Sequence, residues 1–251
     1  MSEYIKVSKA GKVVEIALAR AGKRNAITDA MYAALADALE AADDNDDVAA
    51  VILLAEGETF TAGNDLKDFI AIASSGHQHR TMSVGRFLMA LTQFSKPLIA
   101  AVQGNAVGVG TTLLLHCDLV FADPDAKFST PFVALGLTPE GASSQLLPAR
   151  IGHVRAYSML AMGEIFSADA ALSAGLINEI APSGGALTKA RAAAELLVQR
   201  PPNALAITKR LIRGDQQSIR KLFVEEGKYF YNQTKSIEAQ NAFKAFLQKT
   251  G

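Results

Sequence analysis

Residues 48–55, VAAVILLA, form an unbroken apolar run with no polar side to turn toward water. A strand of that kind has to be covered on both faces, which is the setting of a parallel sheet held between layers. Residues 97–102 (PLIAAV) and 119–122 (LVFA) repeat the pattern. Helix-like stretches separate them, and strands alternating with helices imply an α/β fold with parallel pairing. Upstream, Ile5, Val7, Val13, Ile16 and Leu18 fall in two short segments around Ala10 and Gly11, which predicts a hairpin. Thr28 or Asp29 is expected to cap a helix in which Met31, Leu35, Leu39 and Ala42 recur every three to four residues. That helix runs into an acidic stretch, 43–47, read as a solvated loop. A further apolar helix is expected over 109–117.

The second half reads differently. Ser167 is placed to cap a helix over 168–174 that Gly175 stops. A helix over 186–200 ends at Pro201 and Pro202. Helical stretches follow at 204–213, 216–231 and 237–249, with no strand expected there. The proline pair therefore divides an α/β core, 1–200, from a helical region, 201–251. Phe223, Phe230, Phe243 and Phe246 put much apolar bulk into a piece too small to bury it alone. The region has to pack on the core or on another subunit.

Composition narrows the function classes. The 251 residues carry 25 Lys and Arg against 25 Asp and Glu, so the net charge is zero, which argues against a general nucleic-acid binder. One cysteine excludes an intrachain disulfide and suits a reducing compartment. No apolar run reaches the ~20 residues that span a bilayer. The charged first 20 residues do not resemble a secretory signal, and the closing Lys249-Thr250-Gly251 is not of the peroxisomal type. The expectation is a cytoplasmic protein with no nucleic-acid and no membrane partner.

Several motifs fail on spacing. The glycines at 104, 108 and 110 run G-x-x-x-G-x-G, which fits neither the dinucleotide fingerprint nor the phosphate loop. His77 and His79 have no cysteine or carboxylate cluster to complete a metal site, so no metal is expected. His116 and Cys117 lie among leucines and read as core residues. Ser143 and Ser144 do not form a nucleophile elbow, because Gln145 stands where glycine is needed.

Three segments remain. In 60–69, FTAGNDLKDF, Gly63 frees the backbone to turn so that nearby amides can point outward. In 104–119, GNAVGVGTTLLLHCDL, glycines lead into a helix start, where free N–H groups favour a negative oxygen. Two such donors from separate loops make an oxyanion hole. In 135–145, LGLTPEGASSQ, one carboxylate, Glu140, sits between Pro139 and Gly141.

These segments, the second extended to 100–122, with Arg24-Asn25-Ala26, FSTPFVALGLTPEGASS at 128–144 and FSADAALSAGLINEI at 166–180, closely resemble the enoyl-CoA hydratase/isomerase (crotonase) family. The resemblance implies a spiral of ββα units with a C-terminal helical trimerisation region, hence a homotrimer or dimer of trimers. It implies that the backbone N–H groups of Asn64 and Val109 hold the thioester oxygen of an acyl-CoA. Ala62, Gly63, Asp65, Leu66, Gly110 and Phe132 would then surround the substrate. Lys23, Arg24 and Lys67 are the residues placed for the CoA phosphates. Phe243 and Lys244 are expected to line a CoA site of this or a neighbouring subunit, and 77–89 to wall the acyl pocket.

Departures from the family pattern select the reaction. Hydratases of the family use two glutamates; this chain has Thr112 and Phe132 in those places. The surviving Glu140 sits in surroundings that resemble those of Δ3,Δ2-enoyl-CoA isomerases, where this glutamate is the base. The resemblance thus implies a single-carboxylate proton shift with no cofactor, coenzyme A being part of the substrate. Glu140 is expected in an apolar pocket with a raised pKa. Alternatives are another reaction on an acyl-CoA thioester, such as hydration or thioester hydrolysis, and a non-catalytic acyl-CoA-binding paralogue.

Overall fold

The computed structural model describes residues 2–67, 70 and 83–250. In chain order its strands are β1 (Ile5–Ala10), β2 (Val13–Leu18), β3 (Ala50–Ala55), β4 (Leu98–Val102), β5 (Asn105–Val107), β6 (Leu119–Ala122), β7 (Lys127–Ser129), β8 (Phe166–Ser167) and β9 (Glu179–Ile180). Its helices are α1 (Asp29–Asp44), α2 (Ser83–Gln93), α3 (Val109–Thr112), α4 (Ser143–Ile151), α5 (His153–Tyr157), α6 (Ala168–Ala174), α7 (Ala186–Val198), α8 (Pro202–Arg213), α9 (Gln216–Thr234) and α10 (Ile237–Thr250). No helix among the described residues is long and apolar enough to cross a membrane.

The expected hairpin is present, with Ile5 opposite Leu18 and Ala10 opposite Val13. It opens a six-stranded sheet in the order β1-β2-β3-β4-β6-β9, parallel beyond the hairpin. The apolar runs sit at its centre for the reason their sequence gives. Val51, Leu53, Leu98, Ala100, Val102, Val120 and Ala122 face the main core. Their neighbours Ala50, Ile52, Ile99, Ala101 and Phe121 face a second apolar layer, because successive side chains of a strand alternate between faces. Helix α7 covers that second face with Ala186, Ala190 and Ala194, all buried. Alanine at every fourth position gives a flat stripe that lets the helix lie close against the strands.

A smaller sheet, β5-β7-β8, stands beside the large one. Single bridges, Ile27 with Asn64 and Thr61 with Ala106, tie the loops after β2 and β3 to it. This sheet carries the site. Sequence periodicity is silent about it, since two or three residues cannot display an alternation. For the same reason β8 and β9, set among the helices of the second half, escape a reading of the sequence.

The helix expected over 109–117 divides into α3 and a 3-10 turn, Leu113–His116. Side-chain donors take over its last carbonyls: Arg150 donates to Leu114 and Leu115, and Arg213 to His116. Thr28 caps α1, its hydroxyl accepting from the Met31 amide. The helical region packs on its own chain. Phe223, Phe230, Ala239 and Phe243 are all buried in the main core.

The alanine stripe of α7 gives a direct test. Ala190→Leu forces a larger side chain between helix and sheet and should cost about 1–3 kcal/mol of stability. Urea unfolding of the variant measures it.

Candidate active site

The first loop of the site is built on Asn25, which is fully buried at φ 53°. Its carboxamide donates to Glu56 O and Thr59 O and accepts from the Arg20 amide. Its own carbonyl accepts from Thr61 Oγ1 at 2.6 Å, and that hydroxyl accepts from the Gly63 amide. The chain after β3 is thus held at both ends of a four-residue turn. The Ala62 amide faces Arg24 O at 2.9 Å. Gly63 then takes φ 88°, open to glycine and strained for any other residue. Beyond it, Ile27 N–H bonds Gly63 O and Asp65 N–H bonds Ile27 O. These bonds use the groups on either side of Asn64 and leave the Asn64 N–H on the edge away from Ile27.

That second loop lies in backbone contact with the first. A side-chain carbon on Gly63 would stand 2.9 Å from Val107 O, and one on Gly110 would stand 2.4 Å from Thr61 Cγ2. Val109 opens α3, where a helix leaves its amides without intrahelical partners. The arrangement brings the two loops, one carrying Asn64 and the other Val109, side by side. Phe132 packs over the loop, its ring edge 3.8 Å from where a Gly108 side chain would begin, and meets Phe230 of α9 edge to face.

Glu140 is buried, only 3% exposed. Its Oε1 accepts from Thr112 Oγ1 at 2.6 Å. Loss of hydration pushes its pKa up to about 7, the Thr112 hydrogen bond opposes that rise, and the charge of Glu226 adds to it. The following residues are clamped: Gly141 O accepts from His116 Nε2 at 2.8 Å, and Ala142, at φ 60°, donates its amide to Glu226 Oε2 at 2.6 Å. Burial lowers His116 to about 4, so it serves as a neutral donor. Burial raises the Cys117 thiol to about 12, which leaves no nucleophile there.

Tyr32 of α1 completes the surroundings. It is buried, and its hydroxyl donates to Asn64 Oδ1 at 2.5 Å. Its phenol is held well above the ordinary range by burial first, then by the charges of Glu140 and Asp29. One side chain therefore touches the first amide loop and feels the carboxylate.

The residues expected at the site fall into three groups. Asn64, Val109, Ala62, Gly63, Gly110 and Phe132 belong to the paired loops and their cover. Lys23 and Arg24 are exposed beside the first loop, and Lys67 is exposed just after it. Asp65 and Leu66 are half-buried beside the loop: Asp65 Oδ2 pairs with Arg20 Nη1 at 2.7 Å, and Leu66 packs against the core. Phe243 is only 3% exposed and buried in its own chain's core, so its side chain faces neither this nor a neighbouring surface; Lys244 is exposed. Of the expected acyl wall, 77–82 lies outside the described residues, as do His77 and His79, while 83–89 forms the first part of α2. A cleft of about 1020 Å³ runs between α1, α2 and α9, lined by Gly85, Met89, Phe223 and Gly227 among others, and not by Glu140.

Sequence reasoning missed Tyr32 and Glu226. Both had a signal. Tyr32 continues the apolar stripe of Leu35 and Leu39, and Glu226 shares a helix face with Phe223 and Phe230. A polar residue on an apolar stripe is worth asking about.

Known proteins similar to this chain share its fold. The family model for enoyl-CoA hydratase/isomerase matches residues 8–251. Human enoyl-CoA delta isomerase 2 is 33% identical over 98% of this chain; the chain spans 64% of that protein's length. The 2,3-dehydroadipyl-CoA hydratase of Escherichia coli K12 is 32% identical over 99% of this chain and 97% of its own. Among solved structures, that of Pseudomonas aeruginosa OdaA is 41% identical, with a TM-score of 0.93 over 98% of this chain and 99% of that one.

Burying Glu140 has a measurable consequence for stability. Its pKa near 7 when folded exceeds the ordinary 4.5. The stability it contributes is complete below the unfolded value and is lost as pH rises through the folded one. Glu140→Gln, which cannot ionise, should gain on the wild type by about 3 kcal/mol between about pH 4 and about pH 8. Urea unfolding of both proteins at the two pH values checks this.

Proposed function

The chain belongs to the enoyl-CoA hydratase/isomerase (crotonase) family, and on that premise we propose that it is a Δ3,Δ2-enoyl-CoA isomerase. The observation that carries the proposal is the single buried carboxylate, Glu140, hydrogen-bonded to a threonine hydroxyl where hydratases of the family place a second carboxylate. A 3-enoyl thioester carries acidic protons on C2, between its carbonyl and its double bond. Glu140 removes one of them. The electrons flow into a dienolate whose negative oxygen lies between the amides of Asn64 and Val109. The proton on Glu140 then returns at C4, and the double bond moves to C2.

The exchange balances within one molecule. It consumes no water and transfers no electrons to a cofactor, and coenzyme A remains part of the substrate. A base with a pKa near 7 suits a step in which the same proton is taken and given back near neutral pH. The two amides act where charge develops, a contribution of about 3–4 kcal/mol by the cost of losing such a donor. Phe132 keeps the region apolar, which discourages addition of water. Lys23, Arg24 and Lys67 supply exposed positive charge for the CoA phosphates beside the first loop.

A second reading, hydration, draws support from the likeness to the Escherichia coli hydratase. It requires Glu140 to both position and deprotonate a water by itself. Assembly into trimers belongs to the proposal as well. The exposed side chains of Val154, Tyr157, Met162 and Ile165 follow one another along α5 and the turn after it, and support such self-association.

The test is ultraviolet absorbance of the protein mixed with trans-3-hexenoyl-CoA. Isomerisation produces a rising conjugated enoyl-thioester band. Glu140→Ala should remove nearly all of that rise and leave acyl-CoA binding in place. Unchanged turnover in the variant overturns the assignment of the base. A flat trace with the native protein, alongside loss of absorbance from a 2-enoyl-CoA, favours hydration.

A further inference from the structure

Glu226 is a buried carboxylate for which the reaction as written has no use. It lies on α9, 6% exposed, on the face that also buries Phe223 and Phe230. Among the described residues it has no cationic partner. Both of its oxygens are nonetheless engaged. Oε2 accepts from the Ala142 amide at 2.6 Å, and Oε1 accepts from the Ser144 amide at 2.9 Å and from the Ser144 hydroxyl. These donors begin two residues after Glu140 and include the first turn of α4.

An unpaired charge in such a place is costly, and a carboxylate is not needed merely to cap a helix. Serine, threonine or asparagine near the turn serves that end. What a carboxylate alone adds is its negative charge close to a second buried carboxylate. The other groups that face Glu140 cannot supply it. Tyr32 of α1 is a phenol held far above neutrality, His116 of the 3-10 turn is a neutral donor acting through Gly141 O, and Thr112 of α3 is a hydroxyl. Helix α2 presents Leu88 to Gly141, and the start of α4 presents Ser143 and Ser144.

We propose that Glu226 is a positioning residue for Glu140: its bonds to the Ala142 and Ser144 amides fix the turn that carries the base, and its charge acts on that base. The proposal rests on the reading of Glu140 as the base. Two features of the structure meet in it. The left-handed Ala142 lies in the turn that Glu226 anchors, so the direction of Glu140 depends on those bonds. The second is charge: burial and the neighbouring Glu225 raise the Glu226 carboxyl, and its bonds from Ser144 and Ala142 oppose that rise. Burial first, and the charge of Glu226 in addition, keep Glu140 partly protonated at neutral pH, where it has to accept a proton from C2 and release it at C4.

The test is a carbon-13 NMR titration of the Glu140 carboxyl, assigned with Glu140→Gln, in the full-length wild type and in Glu226→Gln and Glu226→Asp. The pH profiles of kcat and KM with trans-3-hexenoyl-CoA run beside it. Removing the charge in Glu226→Gln should move both the carboxyl titration and the acid limb of kcat toward lower pH by about one unit, with KM unchanged. Glu226→Asp, which keeps the charge, should restore the wild-type midpoint. If Glu226→Gln only lowers the melting temperature and leaves the Glu140 midpoint in place, Glu226 is a helix cap and the proposal falls. If that variant does not fold, the wild type decides: a two-step Glu140 titration supports the coupling, and a single step overturns it. Absence of turnover in the wild type defeats the isomerase reading alone, since the carboxyl titration still judges Glu226.

Discussion

Backbone contact between two loops is the constraint on which the rest of this molecule depends. Where Gly63 meets Val107, one ordinary side chain would have to stand 2.9 Å from a carbonyl oxygen. Closing that gap is what sets the stretch with Asn64 beside the stretch with Val109. Everything around it serves to hold the approach. Asn25 is buried to tie down the first loop, the small sheet fixes the second, and Tyr32 reaches from α1 to the Asn64 side chain. The large sheet contributes nothing to the chemistry directly. Its apolar strands provide a rigid wall from which short, irregular segments are hung.

Charge is distributed with the same economy. The chain is neutral overall, and most of its ionic pairs lie on the surface, as between Arg86 and Asp37 or Arg191 and Glu15. Such pairs contribute little to stability. The costly charges are inside, and they are few. Lys209 and Arg213 share Asp118, while Glu140 and Glu226 have only hydrogen-bond donors. The first group binds α8 to the sheet; the second shapes one turn. That contrast separates ions that hold the structure from ions whose proton affinity is itself the product of the fold.

The reading from sequence succeeded where a signal extends over many residues. Three apolar runs revealed two-faced strands, and Ser167 with Gly175 bracketed α6 to the residue. It failed where structure is local and brief. The strands β5, β7, β8 and β9 have no period to detect, and the turn at 113–116 is shaped by arginines 35 and more positions away. Glu140 is the instructive case. Between proline and glycine it has the look of a solvated turn, and only its family resemblance singled it out. Glu140 is buried, and what surrounds it and its turn comes from distant parts of the chain: Thr112 bonds its carboxyl, Leu88 lies against Gly141 and Glu226 holds Ala142. Asp65 and Phe243 show the converse: an arginine 45 residues earlier pairs with the first, and the second lies in the core, neither of which its local sequence announces.

The placement of Glu226 has a consequence for biosynthesis. It follows Glu140 by 86 residues, in one of the last helices of the chain. A ribosome delivers the large sheet, both amide loops and the glutamate itself well before α9 leaves the exit tunnel. The turn that follows the glutamate acquires its anchor only once α9 has emerged. Nascent chains, and chains clipped between α8 and α9 by a protease, therefore hold both loops and Glu140 without the carboxylate that ties down its turn. Emergence of α9 becomes the step that sets the turn, long after the sheet that carries the loops has been made.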